Sequence, residues 1–442
     1  MAALTTEAQA RRILDRALAL VRATKGAAGS ASFDHVHAGN TRFAVSEITS
    51  SAGVERMQLS VTVQLGKRLA TATTNQLDDH ALADAVSRAA RIARLAPENP
   101  EAMPPLGAQT YRGAKGASDA GTAALGPDVR AAAAGAAIGA AGDKTSIAGF
   151  HEHAARVRAI ASTAGAWGYH AWTNAGMSCT ARTPDGTGSG WAGTSSHRAK
   201  DLDGGALAKV AVDKAVTSQK PQRLDPGRYT VILEPAAVAD LLSFLVGALG
   251  ARRADEGRSF FSKPGGGTRI GEKLFPETIT LRSDPTDPQL TATPFDREQV
   301  AIAPATWIDK GTLKGLAYGR FWATKQGKPV TGQPDGFILE GGKATRDELV
   351  KGTKRGVLIT RFWYLRSLDP QTLMVTGLTR DGVYLIENGA IARPVNNFRF
   401  NESPVQMLAR CDGMTATAIA GGMRVPTLRT NEFNLASISE AV

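Results

Sequence analysis

The sequence predicts an α+β protein of two domains that contain large antiparallel sheets. Its 442 residues exceed the length that one hydrophobic core usually organises. The first hundred residues predict a helix, then strands, then a helix, and strand-like runs dominate the second half. We therefore expect an N-terminal helix-strands-helix domain over residues 1–222 and a C-terminal domain rich in antiparallel sheet over residues 223–442.

The N-terminal elements follow from hydrophobic periodicity. Apolar residues recur at helical spacing over residues 7–23, which predicts an amphipathic helix. Residues 59–65 alternate apolar and polar side chains, and residues 69–74 continue the alternation after a Gly-Lys turn, so we predict antiparallel strands. Helical spacing returns over residues 82–92 and stops at Pro97.

The middle of the chain is less regular. Residues 107–146 are rich in Gly and Ala and predict either an alanine-rich helix flanked by loops or a linker, without chemistry. Strand-like alternation marks residues 169–173 and 177–182. The turn-rich residues 183–191 then predict a hairpin or a long crossing loop, and residues 207–216 predict a helix.

The second half begins after the break at residues 225–227. We predict strands over these β-branched or aromatic runs: residues 229–233, 278–282, 357–365, 373–378 and 383–386. The last run closes on Asn388-Gly389, which predicts a hairpin turn. Helices are expected over residues 236–251 and 346–354.

Composition restricts the class of protein. The formal charge of +11 is scattered along the chain and lacks aromatic interleaving, so nucleic-acid binding is not favoured. No apolar run approaches 18 residues and no secretory signal opens the sequence, so we expect no membrane span and a cytoplasmic protein. Cys179 and Cys411 are too few for a disulfide framework or a thiolate zinc site and are expected to be buried.

All seven histidines precede residue 200, so residues 201–442 alone cannot form a histidine-based hydrolase site. His151 and His153 would share one face of a strand and could bind a metal if a third ligand approached. The favoured interpretation is instead an exposed polar strand or helix start. Ser189 lies between two glycines but does not fit the Gly-x-Ser-x-Gly nucleophile spacing.

Several segments together resemble one known family. Residues 382–395, with the sequence GVYLIENGAIARPV, are similar to a hairpin of the TldD/PmbA family, and residues 348–360 are similar to the segment that precedes it. Residues 398–408 stand where a turn of that family leads into a helix. Weaker likeness over residues 185–191 and the N-terminal elements extends the resemblance to most of the chain.

The resemblance implies a lost metal site. Active members of the family carry His-Glu-Ala-Val-Gly-His on a helix that follows a strand, where two histidines bind zinc and the glutamate activates water. Here Ser243 and Ala248 replace the histidines and Phe244 replaces the glutamate. The family's additional cysteine ligand has no match in residues 416–426. The resemblance therefore implies no catalytic residue and no metal in this chain.

The chain is most similar to the TldE/PmbA-like branch of the family, whose members lack the motif. Such a chain is implied to be the non-catalytic subunit of a zinc metalloprotease, paired with a TldD-like subunit that carries His-Glu-x-x-x-His and the zinc. It would shape a chamber for unfolded or ribosomally made peptides, and its sheet edges would bind peptide backbone. A homodimer is a further possibility.

Residues 361–366 are the densest run of arginine and aromatic residues, a composition enriched at interfaces. A regular strand would place Phe362, Tyr364 and Arg366 on one face. A core strand with terminal arginines is an equal alternative. The candidate peptide-binding or interface residues are Arg361, Trp363, Tyr364, Arg366, Thr379 and Arg380.

Two other functions remain open. The chain could be an independent hydrolase whose site is relocated to His151, His153 or His170. Alternatively, its charge could serve binding to nucleic acid or an anionic surface, which salt would weaken steeply.

Overall fold

Helix α1 (Glu7–Ala23) is the first element of the computed structural model, which describes residues 4–440. A capping box begins the helix, because the Thr6 side chain accepts a hydrogen bond from the Gln9 amide and the Gln9 side chain accepts one from the Thr6 amide. Its apolar stripe is buried against a sheet. The helix predicted over residues 7–23 is thus confirmed.

Six antiparallel strands form the first sheet, in the order β3-β2-β1-β4-β5-β6. Their bounds are β1 (Ala28–Ala44), β2 (Glu47–Leu65), β3 (Arg68–Thr74), β4 (Ser146–Ser162), β5 (Trp167–Arg182) and β6 (Ser189–Ser196). The strands predicted over residues 59–65 and 69–74 lie in β2 and β3, and β5 unites two predicted runs. The turn-rich residues between β5 and β6 form the expected hairpin.

Four more helices accompany this sheet: α2 (Asp79–Leu95), α3 (Ala120–Ala123), α4 (Pro127–Ala141) and α5 (Gly204–Thr217). α1 and α2 pack over one end of the sheet around Phe33 and Leu59, and α4 and α5 pack over the other end around Phe43 and Met177. The Gly/Ala-rich segment therefore contains a helix flanked by loops. The boundary near residue 222 stays a prediction.

The second sheet has eleven strands, and its longest hydrogen-bonded path runs β10-β9-β8-β11-β17-β15-β13-β12-β7. Their bounds are β7 (Gly227–Leu233), β8 (Leu281–Ser283), β9 (Ala305–Asp309), β10 (Thr312–Leu313), β11 (Phe337–Leu339), β12 (Arg355–Asp369), β13 (Met374–Glu387), β14 (Ala390–Pro394), β15 (Asn397–Glu402), β16 (Cys411–Ala420) and β17 (Met423–Ser439). Most pairs are antiparallel, whereas β7–β12 and β11–β17 are parallel. The predicted α+β class is confirmed, with a second sheet that is mixed.

Five helices belong to the second half: α6 (Pro235–Gly247), α7 (Ala251–Asp255), α8 (Arg320–Gln326), α9 (Arg346–Lys351) and α10 (Pro404–Ala409). α6 buries Leu241, Leu242 and Leu245 in the core beneath the second sheet. The helix predicted over residues 236–251 ends earlier, at Gly247, and a separate short helix begins at Ala251.

The hairpin at Asn388-Gly389 is confirmed. Both residues have positive φ, 51° and 77°, which matches the type I′ turn that joins β13 to β14. The two runs predicted before this turn form one strand, β13, which bends at Asp381 and Gly382, where φ is 59° and 124°. Of the strand predicted over residues 278–282, only the last two residues lie in a strand, β8.

Within residues 4–440, no helix combines the length and apolar character needed to cross a membrane. Both cysteines are buried, as expected. Burial raises the pKa of the Cys179 thiol to about 12 and that of the Cys411 thiol to about 11, so neither is a reactive thiolate near neutral pH.

Candidate functional site

The positions that the sequence resemblance aligns with the zinc motif lie at the end of α6. Ser243 is exposed and donates a 2.7 Å hydrogen bond to the carbonyl oxygen of Asp240, Phe244 is half-buried, and Ala248 is buried just after the helix. A hydroxyl, a phenyl ring and a methyl group cannot supply a zinc site or a general base. Among the described residues, no group of three or more His, Cys, Asp or Glu side chains could hold a metal ion.

A cleft of about 690 Å³ lies beside the N-terminal half of α6, between the two sheets. Strands β4, β5 and β6 and helix α5 form one wall, and the start of α6, β12 and the turn between β16 and β17 form the other. Its charged lining residues are Glu152, Lys214, Glu234, Asp240 and Arg361. The cleft is therefore large enough for several residues of an extended peptide.

Two strand edges meet in this cleft. In the described part of the chain, β6 pairs with β5 alone in the first sheet, and β16 pairs with β17 alone in the second, apart from a bridge between Ala344 and Thr415. Residues 191–195 of β6 and residues 418–421 at the end of β16 line the cleft. Backbone groups on such edges can accept an added strand.

Arg361 of β12 and Asp240 of α6 line the same wall of the cleft. The Arg361 guanidinium lies over the Trp191 ring, 4.5 Å from its centroid, and pairs with Asp381 at 3.4 Å. Burial raises the pKa of Asp240 to about 6, although the Arg361 charge and the Phe362 amide act in the opposite direction. Asp240 is therefore a carboxyl group that titrates near neutral pH inside the cleft.

A charged pair separates this cleft from a second cavity of about 400 Å³. Lys214 donates to Glu234 at 2.7 Å, and Arg346 donates to the other Glu234 oxygen at 3.2 Å. Lys214 comes from α5 and Glu234 precedes α6, so this ion pair joins the two halves of the protein. Tyr384 closes the second cavity and donates to the Lys214 carbonyl oxygen at 2.9 Å.

The arginine and aromatic run of β12 departs from regular alternation. Phe362 is buried, whereas Trp363 and Tyr364 are 40% and 57% exposed. Tyr364 has φ of 58° and the pairing with β13 shifts register between Trp363 and Arg366, so Tyr364 does not share a face with Phe362 as the sequence predicted. A bulge thus presents two neighbouring aromatic rings at the surface.

The six candidate residues separate into three groups. Of these, only Arg361 lines the cleft within the described part of the chain. Arg380 lies over the Trp363 ring at 4.1 Å and Arg366 over the Tyr364 ring at 4.4 Å, which builds a surface ladder. Thr379 is buried and accepts a hydrogen bond from the Phe398 amide, so it is an internal residue rather than a groove contact.

His151 and His153 lie on β4 and share one face, as a strand requires, but both are 3% exposed. The expectation of an exposed segment was wrong, because α4 covers this face and inserts Arg130, whose Nη1 lies 3.4 Å from His153 Nδ1. Burial and the Arg130 charge lower the pKa of His153 to about 4. His170 projects from the opposite face of the sheet, since it pairs with Arg158 in register.

Four residues that line the cleft were not predicted as site residues from the sequence: Asp240, Trp191, Lys214 and Glu234. They come from β6, α5 and the start of α6, which are far apart in sequence, so no local spacing could have marked them. The triplet Leu-Glu-Pro that contains Glu234 resembles an ordinary strand-to-helix junction. Only the packing of the two sheets brings these side chains together.

Comparison with family models gives two matches. The model of the PmbA/TldA metallopeptidase central domain matches residues 119–219, and that of the PmbA/TldA metallopeptidase C-terminal domain matches residues 226–437. A metalloprotease of Methanothermobacter thermautotrophicus is 25% identical over 228 residues, 47% of each chain. The match therefore spans about half the length of that relative.

Solved structures share the fold over nearly the whole chain. A candidate modulator of DNA gyrase from Thermotoga maritima has a TM-score of 0.87 at 18% identity, covering 96% of this chain and 100% of its own. TldE from Thermococcus kodakarensis has a TM-score of 0.86 at 18% identity, covering 96% and 99%. A candidate gyrase modulator from Bacteroides thetaiotaomicron has a TM-score of 0.84 at 20% identity, covering 98% and 100%.

Proposed function

The chain belongs to the PmbA/TldD metallopeptidase family, and from that premise we propose that it is a non-catalytic subunit of a zinc-dependent protease complex. The complex would act on unfolded or ribosomally made peptides in the cytoplasm. In it, a partner of the same family carries His-Glu-x-x-x-His and the zinc, while this chain contributes one wall of the substrate chamber.

The observation that carries this proposal is the chemistry of α6. The helix keeps its place after β7 and its buried side, yet presents Ser243, Phe244 and Ala248 where hydrolysis needs two metal ligands and a base. Zinc requires three protein ligands to activate a water molecule, and these side chains do not fit it. A chain that retains the scaffold without the chemistry is suited to binding rather than cleavage.

The cleft supports a role in holding substrate. An extended peptide could add to the edge of β6 or of β16, since β6 ends the order of the first sheet, β16 branches from β17 in the second, and both strands line the cleft. Main-chain hydrogen bonds tolerate many sequences, which suits a protease of unfolded peptides. The Trp191 ring, held by Arg361, offers an apolar surface to a substrate side chain.

The surface ladder of Trp363, Tyr364, Arg366 and Arg380 is our candidate for the contact with the partner. Exposed aromatic rings covered by arginines have the composition that concentrates binding energy at protein interfaces. Three of its residues lie on β12, the strand that also places Arg361 in the cleft, and Arg380 lies on the neighbouring strand β13. Docking there would set the partner beside the chamber wall.

An independent hydrolase with a relocated histidine site is the main alternative. His151 and His153 are buried under α4 beside Arg130, and His170 projects from the other face of the same sheet. The charge of +11 motivates a second alternative, binding to nucleic acid, which predicts affinity that falls steeply with salt. Neither alternative uses the cleft.

The proposal is tested by mixing the purified chain with a motif-bearing homologue from the same source. We expect association, one zinc ion per pair, and hydrolysis of an unfolded peptide by the mixture. Hydrolysis that needs only the homologue, with no effect of added chain on rate or specificity, would contradict a role in the protease. A chain that remains monomeric in the mixture would contradict it as well.

A further inference from the structure

Among the described residues, Asp240 and Glu152 are the charged residues of the cleft whose side chains form no ion pair, and Asp240 is the more buried of the two. Glu234 pairs with Lys214 and Arg346, and Arg361 pairs with Asp381. Glu152 lies at the exposed rim on β4. Asp240 is partly buried in the first turns of α6, where the Phe362 amide and the charge of Arg361 favour its carboxylate form without a direct ion pair.

The nearest cation cannot easily neutralise Asp240. Arg361 is held by two other contacts, the Trp191 ring at 4.5 Å and the Asp381 carboxylate at 3.4 Å. Lys214 is engaged by Glu234 at 2.7 Å. Rotating either cation toward Asp240 would break its existing ion pair, with Asp381 for Arg361 or with Glu234 for Lys214, so the gain at Asp240 would be offset by a loss elsewhere.

We propose that Asp240 forms a subsite for a cationic group of the bound peptide, a lysine or arginine side chain or an amino terminus. A peptide that adds to the β6 edge passes this wall of the cleft, and a cation there would form a charge-assisted hydrogen bond. The inference rests on the proposed function, because it assumes that the cleft holds peptide. It specifies which class of peptide group the cleft would bind.

The charge of the cleft agrees with this specificity. Three carboxylates and two cations line the cleft, so its net charge is −1 in a chain whose net charge is +11. Long-range electrostatics would repel a cationic peptide, so any preference for one must arise from the local carboxylate. A single carboxylate is also too few ligands for a metal ion, which leaves an organic cation as the fitting ligand.

The test measures binding of two labelled, end-blocked peptides that differ only in lysine or norleucine at one central position. Fluorescence anisotropy gives their affinities for the wild-type chain and for Asp240→Asn, Asp240→Glu and Asp128→Asn. Asp128→Asn removes the same charge from an exposed position on α4 and is the matched control. Thermal unfolding of each variant verifies that it is folded.

We expect wild type and Asp128→Asn to prefer the lysine peptide about tenfold, the effect of one charge-assisted hydrogen bond in a partly open site. Asp240→Asn should bind both peptides with nearly equal affinity, and Asp240→Glu should restore much of the preference. Equal affinities in wild type, an undiminished preference in Asp240→Asn, or no binding of either peptide would overturn the inference.

A second readout needs no variant. Because the pKa of Asp240 lies near 6, the lysine preference of wild type should decline as pH falls from about 7.5 to about 5. A preference that stays constant over this range would overturn its assignment to Asp240. Both peptides are also used in the hydrolysis assay. If the mixture hydrolyses peptide but shows no preference for the lysine peptide, the subsite alone is refuted. If the chain prefers the lysine peptide but the mixture hydrolyses neither, the protease role alone is refuted.

Discussion

The Ser189 hydroxyl donates a 2.5 Å hydrogen bond to the Asp381 carboxylate, and both side chains are buried. Ser189 begins β6 of the first sheet and Asp381 lies at the bend of β13 in the second. The other Asp381 oxygen pairs with Arg361, which faces the cleft. This contact therefore joins the two sheets beside the proposed peptide site and helps to hold its walls in register.

Replacing Ser189 with Ala should lower the free energy of unfolding by about 1.5–3 kcal/mol, the range for a lost hydrogen bond to a charged group. The buried carboxylate would lose its neutral donor and retain its ion pairs with Arg361 and Arg380. Urea unfolding measures the change. Ser50→Ala, an exposed strand position, is the control and should change stability by less than about 0.5 kcal/mol. Equal effects of both variants would show that the contact does not join the sheets.

Acid should destabilise the protein through His153. Its pKa is lowered from 6.5 to about 4 by burial and by Arg130, so between these pH values the unfolded chain binds more protons than the folded chain. The contribution is fully present above pH 6.5 and is lost as pH falls toward 4, by up to about 3 kcal/mol. Urea unfolding measured at several pH values between 4 and 6.5 gives the slope of the free energy of unfolding against pH.

The pH slope should be smaller in His153→Leu, whereas His80→Gln, which alters an exposed histidine of α2, should keep the wild-type slope. Asp240 acts in the opposite sense, because its raised pKa of about 6 stabilises the folded chain on protonation. The difference between variant and wild type therefore isolates the histidine. Identical slopes for His153→Leu and wild type would contradict the assignment.

Gly389→Ala should destabilise the chain by roughly 1–3 kcal/mol. Its φ is 77°, and a β-carbon would lie 2.7 Å from the Lys351 carbonyl oxygen. The matched control is Gly135→Ala, because Gly135 lies within α4 with open space around it, and alanine there should stabilise the helix by up to about 1 kcal/mol. Differential scanning calorimetry compares them, and a neutral Gly389→Ala would refute the strained turn.

Trp363→Ala should weaken association with the motif-bearing partner by about 2 kcal/mol or more, as expected for an aromatic anchor. Its ring is 40% exposed, so the stability of the isolated chain should change little. Analytical ultracentrifugation of the mixture gives the dissociation constant. Leu95→Ala, which shortens an 83% exposed side chain on α2, should leave the constant unchanged. A dissociation constant for Trp363→Ala equal to that of wild type would show that the partner does not bind at this surface ladder.

Local sequence determines some elements well. The apolar stripe predicts α1 to its observed bounds, and the structure adds a capping box at its start. The Asn388-Gly389 hairpin was predictable because both turn residues tolerate positive φ. β1 was missed, since His35, His37 and Gly39 interrupt its apolar side chains. It forms a strand because β2 and β4 pair with both of its edges.

The site was predictable only where a motif position fell on a regular helix. Ser243 and Phe244 lie on α6, where the family resemblance placed them. The alternation expected from Phe362 to Arg366 failed because a bulge at Tyr364 breaks the strand register. Asp240 and Trp191 meet through packing between sheets, which no spacing within either segment encodes.

The most direct test of the account is zinc-dependent hydrolysis of an unfolded peptide by the chain alone and by its mixture with a motif-bearing homologue. We predict turnover in the mixture that disappears when the glutamate of the homologue's motif is replaced, and that persists when Phe244 of this chain is replaced with Ala. Zinc-dependent turnover by the isolated chain would contradict its assignment as a non-catalytic subunit and would favour a site formed by its histidines.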